Sequence, residues 1–414
     1  PTSRTRLQRH LIPHRSKMRV LVSAALVAGA AALNIRMSAG AAPSASAAAA
    51  ADASSTAEPL LLRAARGQKV ERTPVWMMRQ AGRHMAVYRD LVKDYPTFRE
   101  RSEIPHVSFE VSMQPYRAYK TDGVILFSDI LTPLPAMGVD FAISEAGGIK
   151  IDPIRTRAAF QKMLDSAPFT PETDCSFVGE VLTKLRAELK GSGATVLGFI
   201  GLPFTLGTYL VEGATGTKNG FAEMRKLRET DPELMRDILS LLAERITQYA
   251  IYQIDSGAQV VQVFDSWAGH LTPDEFEEWA MPSQRQVVQG IREARPDVPV
   301  IIYMAPDTYS KEGGFIEKLA ASGVSMVSVD HTIDISEARR RLDAAGYAHV
   351  GLQGNLDPEI LRDGTPEQIV EKTTEILRAA GNKGHVMNLG HGIEATTPEP
   401  SAALFVKTVQ EFKH

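Results

Sequence analysis

The sequence contains one cysteine, Cys175. An internal disulfide and a multi-cysteine zinc site are thereby excluded, so any chemistry falls to carboxylates, histidines, arginines or a bound cofactor. Net charge is also small, at −3, which argues against a nucleic-acid binder, since such proteins carry a strong basic surface. The glycine fingerprints of nucleotide sites are missing: Gly198-Phe-Ile-Gly201 and Gly351-Leu-Gln-Gly354 lack the Lys and Ser/Thr that cradle phosphates. No apolar run is long enough to span a bilayer; Val20–Leu33 comes nearest and falls short. What remains is ordinary globular material, 44% hydrophobic and 23% charged, which excludes collagen-like and disordered classes and supplies a sizeable core.

Acidic residues are absent from residues 1–51, which hold seven basic ones: Arg4, Arg6, Arg9, Arg15, Lys17, Arg19 and Arg36. Removing them leaves 39 basic and 49 acidic residues, so the rest of the chain carries −10. A basic stretch, the apolar run Val20–Leu33 and an Ala/Ser-rich tail to Ser55 follow one another. This order reads as a bipartite plastid import signal, the short apolar run suiting a signal-peptide core and the acid-free continuation a transit peptide. The alternatives are a plain mitochondrial or chloroplast peptide and a disordered extension on a cytoplasmic protein, because composition alone carries the assignment. Residues 1–57 are therefore expected to be a targeting segment and residues 58–414 one domain, with no membrane association in the mature form.

From residue 58 onward short β-branched runs alternate with helical periodicity. The runs are Pro74–Met78, Gly123–Phe127, Thr195–Ile200, Gln259–Phe264, Val298–Met304, Ser325–Val329, His349–Gln353 and His385–Leu389. Between them lie expected helices at Asp231–Ser256, Pro273–Ala294 (opened by Thr272), Gly314–Ser322, Ser336–Ala345 and Pro366–Ala380 (opened by Thr365). Continuous apolar strands alternating with helices imply a parallel sheet covered on both faces, and eight such units point to an α/β (β/α)8 TIM barrel, with an open doubly wound sheet as the alternative. Val139–Ile151 interrupts the rhythm and reads as an inserted β-hairpin turning at Gly147 and Gly148.

In a barrel the chemistry sits where the strand ends meet. Just past the runs lie Arg79, Gln80 and Arg83; Ser128 and Asp129; a loop Gly201–Gly213 containing Tyr209; Asp265, Ser266 and His270; Asp307 and Tyr309; Asp330 and His331; Asn355 and Asp357; Asn388 and His391. Each is as well placed to cap a helix as to serve a pocket. Arg79, Arg83 and Arg89 cluster beside Trp76 and two methionines. Guanidinium forks match carboxylates and phosphates, each charge-assisted contact being worth roughly 1.5–3 kcal/mol, so the cluster suggests a ligand with several anionic groups; a solvated helix face is the plain reading. Asp129 leaves an apolar strand end, where an unpaired ionised carboxylate is costly, so it is either functional or paired with an arginine. His270, His331 and His391 have no metal-ligand spacing, and a metal is not expected. Cys175 lies in a polar segment away from any strand end and reads as incidental.

Six segments, PVWMMRQAGR (74–83), FSDILTP (127–133), GFIGLPFTLGTYLVEG (198–213), FDSWAGH (264–270), GNLDP (354–358) and NLGHGI (388–393), resemble in content and order those of the uroporphyrinogen decarboxylase family. The resemblance runs from about residue 60 to the C-terminus. It implies a (β/α)8 barrel, a homodimer, and a carboxy-lyase of porphyrin biosynthesis. The implied reaction, without cofactor or metal, turns the four acetates of uroporphyrinogen III into methyls, giving coproporphyrinogen III. It implies catalytic roles for Asp129, Arg79, Tyr209 and His391, and substrate binding by Arg79, Gln80, Ala81, Gly82, Arg83, Asp129, Tyr209, Ser266 and His391. His84 departs from the pattern, standing where the family commonly has Tyr. The segment Glu212–Gly220, rich in Gly and Thr, has the composition of a mobile lid or of an exposed loop. Two other readings compete: a cobalamin- or zinc-linked methyltransferase of the same superfamily, and a tetrapyrrole-binding protein without catalysis.

Overall fold

In a computed structural model, residues 58–143, 148–165, 168–215, 220–305, 308–309, 314–381 and 383–414 are described. The strands are β1 (Gly123–Ile125), β2 (Phe141–Ile143), β3 (Ile149–Ile151), β4 (Thr195–Gly201), β5 (Val260–Phe264), β6 (Val300–Tyr303), β7 (Met326–Ser328), β8 (Gly351–Gln353) and β9 (His385–Val386). β2 and β3 pair antiparallel, which is the expected inserted hairpin; Gly147 of its turn lies outside the described residues. The other seven form one parallel sheet in chain order from β1 to β9.

The eighth expected run completes the ring with very few bonds. Met387 N–H donates to Pro74 O at 2.8 Å and Trp76 N–H to Met387 O at 3.3 Å, while Asp122 N–H donates to Val75 O at 2.8 Å. Pro74–Trp76 thus lies between β9 and β1 and closes the barrel. Proline 74 cannot donate to a ladder and its segment makes only a single parallel bridge, Val75 to Met387. The barrel interior carries a polar layer, in which Trp76 Nε1 donates to Gln353 Oε1 at 2.9 Å and Gln353 Nε2 donates to Gln262 Oε1 at 3.0 Å and Ser328 Oγ at 2.9 Å. Below it the helix Leu60–Ala65 plugs the N-terminal end, packing Leu61, Leu62 and Ala65 against Leu197, Val260, Ile301, Met326 and Val386. The open end is therefore the C-terminal mouth.

The expected helices form at Pro232–Asp255, Pro273–Ala294 with a π turn at Phe276–Ala280, Phe315–Ala321, Ile335–Ala344 and Pro366–Ala380. Thr272 and Thr365 both close capping boxes. The expected loop Gly201–Gly213 is instead the end of β4 followed by the helix Pro203–Glu212. Its glycines have packing reasons: Gly207 faces Leu239, and Gly213 ends the helix at φ 74°. With Pro203 at the first helical position, this is the usual proline-start, glycine-stop arrangement.

Candidate active site

Arg79 begins the mouth. Its backbone is left-handed, at φ 60°, and the turn is stitched to the loop Asn388–Ile393 on both sides: Met78 N–H donates to Asn388 Oδ1 at 2.8 Å and Ile393 N–H to Met78 O at 2.9 Å. The side chain is exposed and its stem crosses Gly392, where a Cβ would lie 2.4 Å from Arg79 Cδ. The second glycine of the NLGHGI segment is what lets Arg79 lie there, a requirement the sequence reading did not identify. Arg83 is exposed beside the half-buried Ala81 and Gly82. Among the described residues, neither Arg79 nor Arg83 has an ion-pair partner.

Gln80 is fully buried, its Nε2 donating to Gly123 O at 3.0 Å and its Oε1 accepting from Met77 N–H at 3.2 Å. Its side chain braces the first strand against β1 and does not face the mouth. Arg89 is likewise a brace: its Nη1 donates to the carbonyls of Arg83 and His84, each at 2.8 Å. His84 is buried, stacked on Tyr119 with its Nε2 3.3 Å from the Tyr119 hydroxyl. Burial pushes its pKa down to about 4, so the ring is neutral at pH 7 and packs as the aromatic residue it replaces would.

Asp129 sits in a turn built by its neighbours. Thr132 Oγ1 accepts from Asp129 N–H at 3.2 Å and lies 2.9 Å from Ser128 Oγ, while Asp129 Oδ1 accepts from Leu131 N–H at 2.8 Å. No arginine forms an ion pair with it among the described residues, so Oδ2 is left for the mouth. Burial raises its pKa above the carboxylate norm, opposed by the Leu131 amide and the Arg79 charge. The Tyr209 hydroxyl is pushed up to about 12, by burial first and then by Asp129. His391 is held down at about 4 by burial and by Arg79. The charge of Arg79 acts on Asp129, Tyr209 and His391 alike, which brings three of the expected residues around one cation. Ser266, half-buried, opens the short helical turn Ser266–His270, whose Trp267 meets the Tyr209 ring edge-on at 5.8 Å.

Several strand-end residues do structural work. Asp357 caps the helix Pro358–Asp363. Asp330 Oδ1 accepts from Thr332 N–H at 2.8 Å and Oγ1 at 2.6 Å. Asn355 Nδ2 donates to the Asp330 and Ile333 carbonyls, each at 2.7 Å. Tyr309 is buried with its hydroxyl accepting from Met304 N–H at 2.8 Å. His270 and His331 are exposed, and the His270 ring lies tilted against Phe221 at 4.7 Å. Asp307 and residues 216–219 of the expected lid lie outside the described residues. The lid's first residue, Glu212, is buried and accepts from Met224 N–H at 2.9 Å. No group of three or more His, Cys, Asp or Glu side chains suits a metal among the described residues. Cys175 is buried with its thiol pushed up to about 12, which makes it a poor nucleophile.

The family described as uroporphyrinogen decarboxylase matches residues 56–412. The uroporphyrinogen decarboxylase of Prochlorococcus marinus (strain NATL2A) is 51% identical over 348 residues, covering 84% of this chain and 94% of the relative. That of Synechococcus sp. (strain CC9605) is 50% identical over 350 residues, covering 84% and 95%. That of Trichodesmium erythraeum (strain IMS101) is 48% identical over 354 residues, covering 85% and 96%. Among solved structures, a methyltransferase from Methanosarcina mazei shares the fold with a TM-score of 0.67 at 17% identity, covering 86% of this chain and 99% of that one. Half-identity across nearly the whole of each relative, with a family match over residues 56–412, places this chain in the uroporphyrinogen decarboxylase family.

Proposed function

We propose that this chain removes CO2 from the four acetate side chains of uroporphyrinogen III, giving coproporphyrinogen III with no cofactor or metal. The observation that carries the reading is the mouth itself: Arg79, drawn across Gly392 and without an ion-pair partner among the described residues, places its charge near Asp129, whose Oδ2 has no hydrogen-bond partner among them. Loss of CO2 from a pyrrole acetate would leave a carbanion, so the ring is first protonated at its α carbon and becomes an electron sink; once CO2 has left, the exocyclic methylene takes a proton to become the methyl and the α carbon returns its own, so one proton replaces each CO2. The resulting cation needs a fixed negative charge near its N–H groups, and ionised Asp129 supplies it through the free Oδ2. Arg79 and Arg83 bind side-chain carboxylates, while the hydroxyls of Tyr209 and Ser266 donate to their oxygens.

A guanidinium is a poor proton donor, and His391, held neutral by burial at pH 7, carries a ring N–H and no imidazolium proton. A bound water positioned by His391 is the donor this arrangement supports. The homodimer implied by the family and the plastid destination of residues 1–57 belong to the same proposal, the latter supported by relatives of 48–51% identity in cyanobacteria. Incubating the chain with uroporphyrinogen III under reducing conditions with a chelator tests the activity. Coproporphyrinogen III with four equivalents of CO2 supports it, and unchanged substrate refutes it.

A further inference from the structure

Asp265 is fully buried, a carboxylate with no cation beside it among the described residues. Such a group is costly unless hydrogen bonds hold it, and two of the three bonds here lead to the helix that carries Tyr209. Its Oδ1 accepts from Thr205 N–H at 3.1 Å and from Thr205 Oγ1 at 2.8 Å, and its Oδ2 accepts from Gln284 Nε2 at 3.2 Å. Thr205 is the third residue of the helix Pro203–Glu212, whose own N-cap position is Leu202, a side chain that cannot cap. Asp265, reaching across from the end of β5, therefore performs the capping that Leu202 does not, through the oxygen that accepts from Thr205; burial raises its pKa to about 7, so the cap rests on these hydrogen bonds rather than on a fixed charge.

The same Thr205 hydroxyl accepts from Trp267 N–H at 3.1 Å, which fixes the turn that begins at Ser266. Tyr209 lies one helical turn beyond Thr205 on the same face, with its ring against Trp267. The far end of the helix is held as well: Arg155 Nε donates to Val211 O at 2.8 Å and its Nη2 to Glu212 O at 3.0 Å. Both ends of a short helix are thus gripped by side chains from elsewhere in the fold, and what the helix carries into the mouth is Tyr209.

We infer that Asp265 is a positioning residue for the decarboxylation, acting through Thr205 to set Tyr209 and Ser266 in the mouth as one unit. This rests on the functional reading above. The test is a cycle of Asp265→Ala, Tyr209→Phe and the double variant, with Asp265→Asn as the conservative replacement. Asn keeps an oxygen for Thr205, and its amide can donate to Gln284 Oε1, which otherwise has no partner.

Two measurements are made on each folded variant: kcat and KM with uroporphyrinogen III, and hydrogen exchange at the amides of residues 205–212. Asp265→Ala should lower kcat/KM by about fivefold or more, the loss expected if the roughly 1 kcal/mol of a lost helix N-cap is felt at Tyr209. In the Tyr209→Phe background the added loss should shrink to less than about threefold, since neighbours acting as a unit are not additive. Exchange in the helix should rise about tenfold in the Ala variant, and the Asn variant should restore both readouts. If Asp265→Ala fails to fold, Thr205→Val, which cuts the hydroxyl links to Asp265 and Trp267 at similar volume, takes its place in the cycle. Additive losses, unchanged helix exchange, or an Asn variant as poor as the Ala variant would each overturn the inference. An inactive wild-type chain would instead remove the decarboxylase reading, while the exchange data would still decide whether Asp265 holds the helix.

Discussion

Replacing Asp129 with Asn separates charge from shape. The carboxylate's one bond among the described residues, from Leu131 N–H to Oδ1 at 2.8 Å, is a bond that an amide oxygen also accepts, and Thr132 holds the turn through the Asp129 backbone. The Asn variant therefore keeps the turn and loses only the negative charge. For two unit charges about 4 Å apart at an effective dielectric constant of about 20, the interaction is roughly 4 kcal/mol, close to three decades in rate. Because Asp129 is only half-buried, that figure is an upper value, and turnover should fall by about 10²–10³ while KM changes by less than about threefold.

Stability should move the other way. Folding raises the Asp129 pKa, so the folded chain binds this proton more tightly than the unfolded one. The group's contribution is then favourable at low pH and is lost as pH rises through the folded pKa. At pH 7.5 the Asn variant should melt no lower than wild type, and the gap should close in acid, where wild type is protonated. Coproporphyrinogen formation followed by chromatography, with thermal melts at two pH values, checks both halves. Turnover within about tenfold of wild type would refute the charge-stabilisation role, and a variant that melts well below wild type would refute the stability reasoning.

Arg83→Ala should raise KM about tenfold with kcat nearly unchanged, the lower end of a charge-assisted contact because the side chain is exposed; an unchanged KM removes Arg83 from substrate binding. Gly392→Ala places a methyl 2.4 Å from Arg79 Cδ and must displace that stem. Since Arg79 is flexible and exposed, the melting temperature should barely move while kcat/KM falls by about 10²-fold, as misplacement of about 1 Å does elsewhere; full activity would mean that Arg79 acts from another position. Cys175 is buried with its thiol held near 12, so iodoacetamide at pH 8 should neither label the folded chain nor slow it. Stoichiometric labelling with loss of turnover contradicts that.

The barrel was legible because a parallel strand is buried on both faces and shows as a continuous apolar run; all eight expected runs lie in the ring. Tyr209 was placed correctly and its setting misjudged. Glycine and proline in GLPFTLGTYLVEG read as loop punctuation, yet Pro203 starts the helix and Gly207 lets Leu239 approach. The strand-end polar residues were legible as a set and not one by one. Asp129 and Asp265 both follow apolar strands, and only the fold shows that one keeps an oxygen without a partner among the described residues while the other is used up by Thr205 and Gln284. The role of Arg155 had no local signal, because its partners, the carbonyls of Val211 and Glu212, are backbone groups more than fifty positions away.

The charge balance of the chain poses a final question of sign. After residue 51 the sequence sums to −10, and a substrate bearing several carboxylates would be repelled if the whole surface acted on it. It does not, because the Debye length is about 8 Å at physiological ionic strength and charges beyond it are screened. Within that distance the mouth presents cations that the surface has not neutralised. Arg63, Arg66, Arg157 and Arg295 are each paired with carboxylates on the flanks, and Arg89 is spent on two carbonyls. Arg79 and Arg83 have no such partners among the described residues, so their charges stay available to an anionic ligand at the mouth. The two possibilities therefore make opposite demands on salt. Net repulsion would be relieved by added salt and KM would fall. Attraction to two local guanidinium groups would be weakened and KM would rise, more steeply in wild type than in Arg83→Ala. The unpaired arginines favour the second outcome.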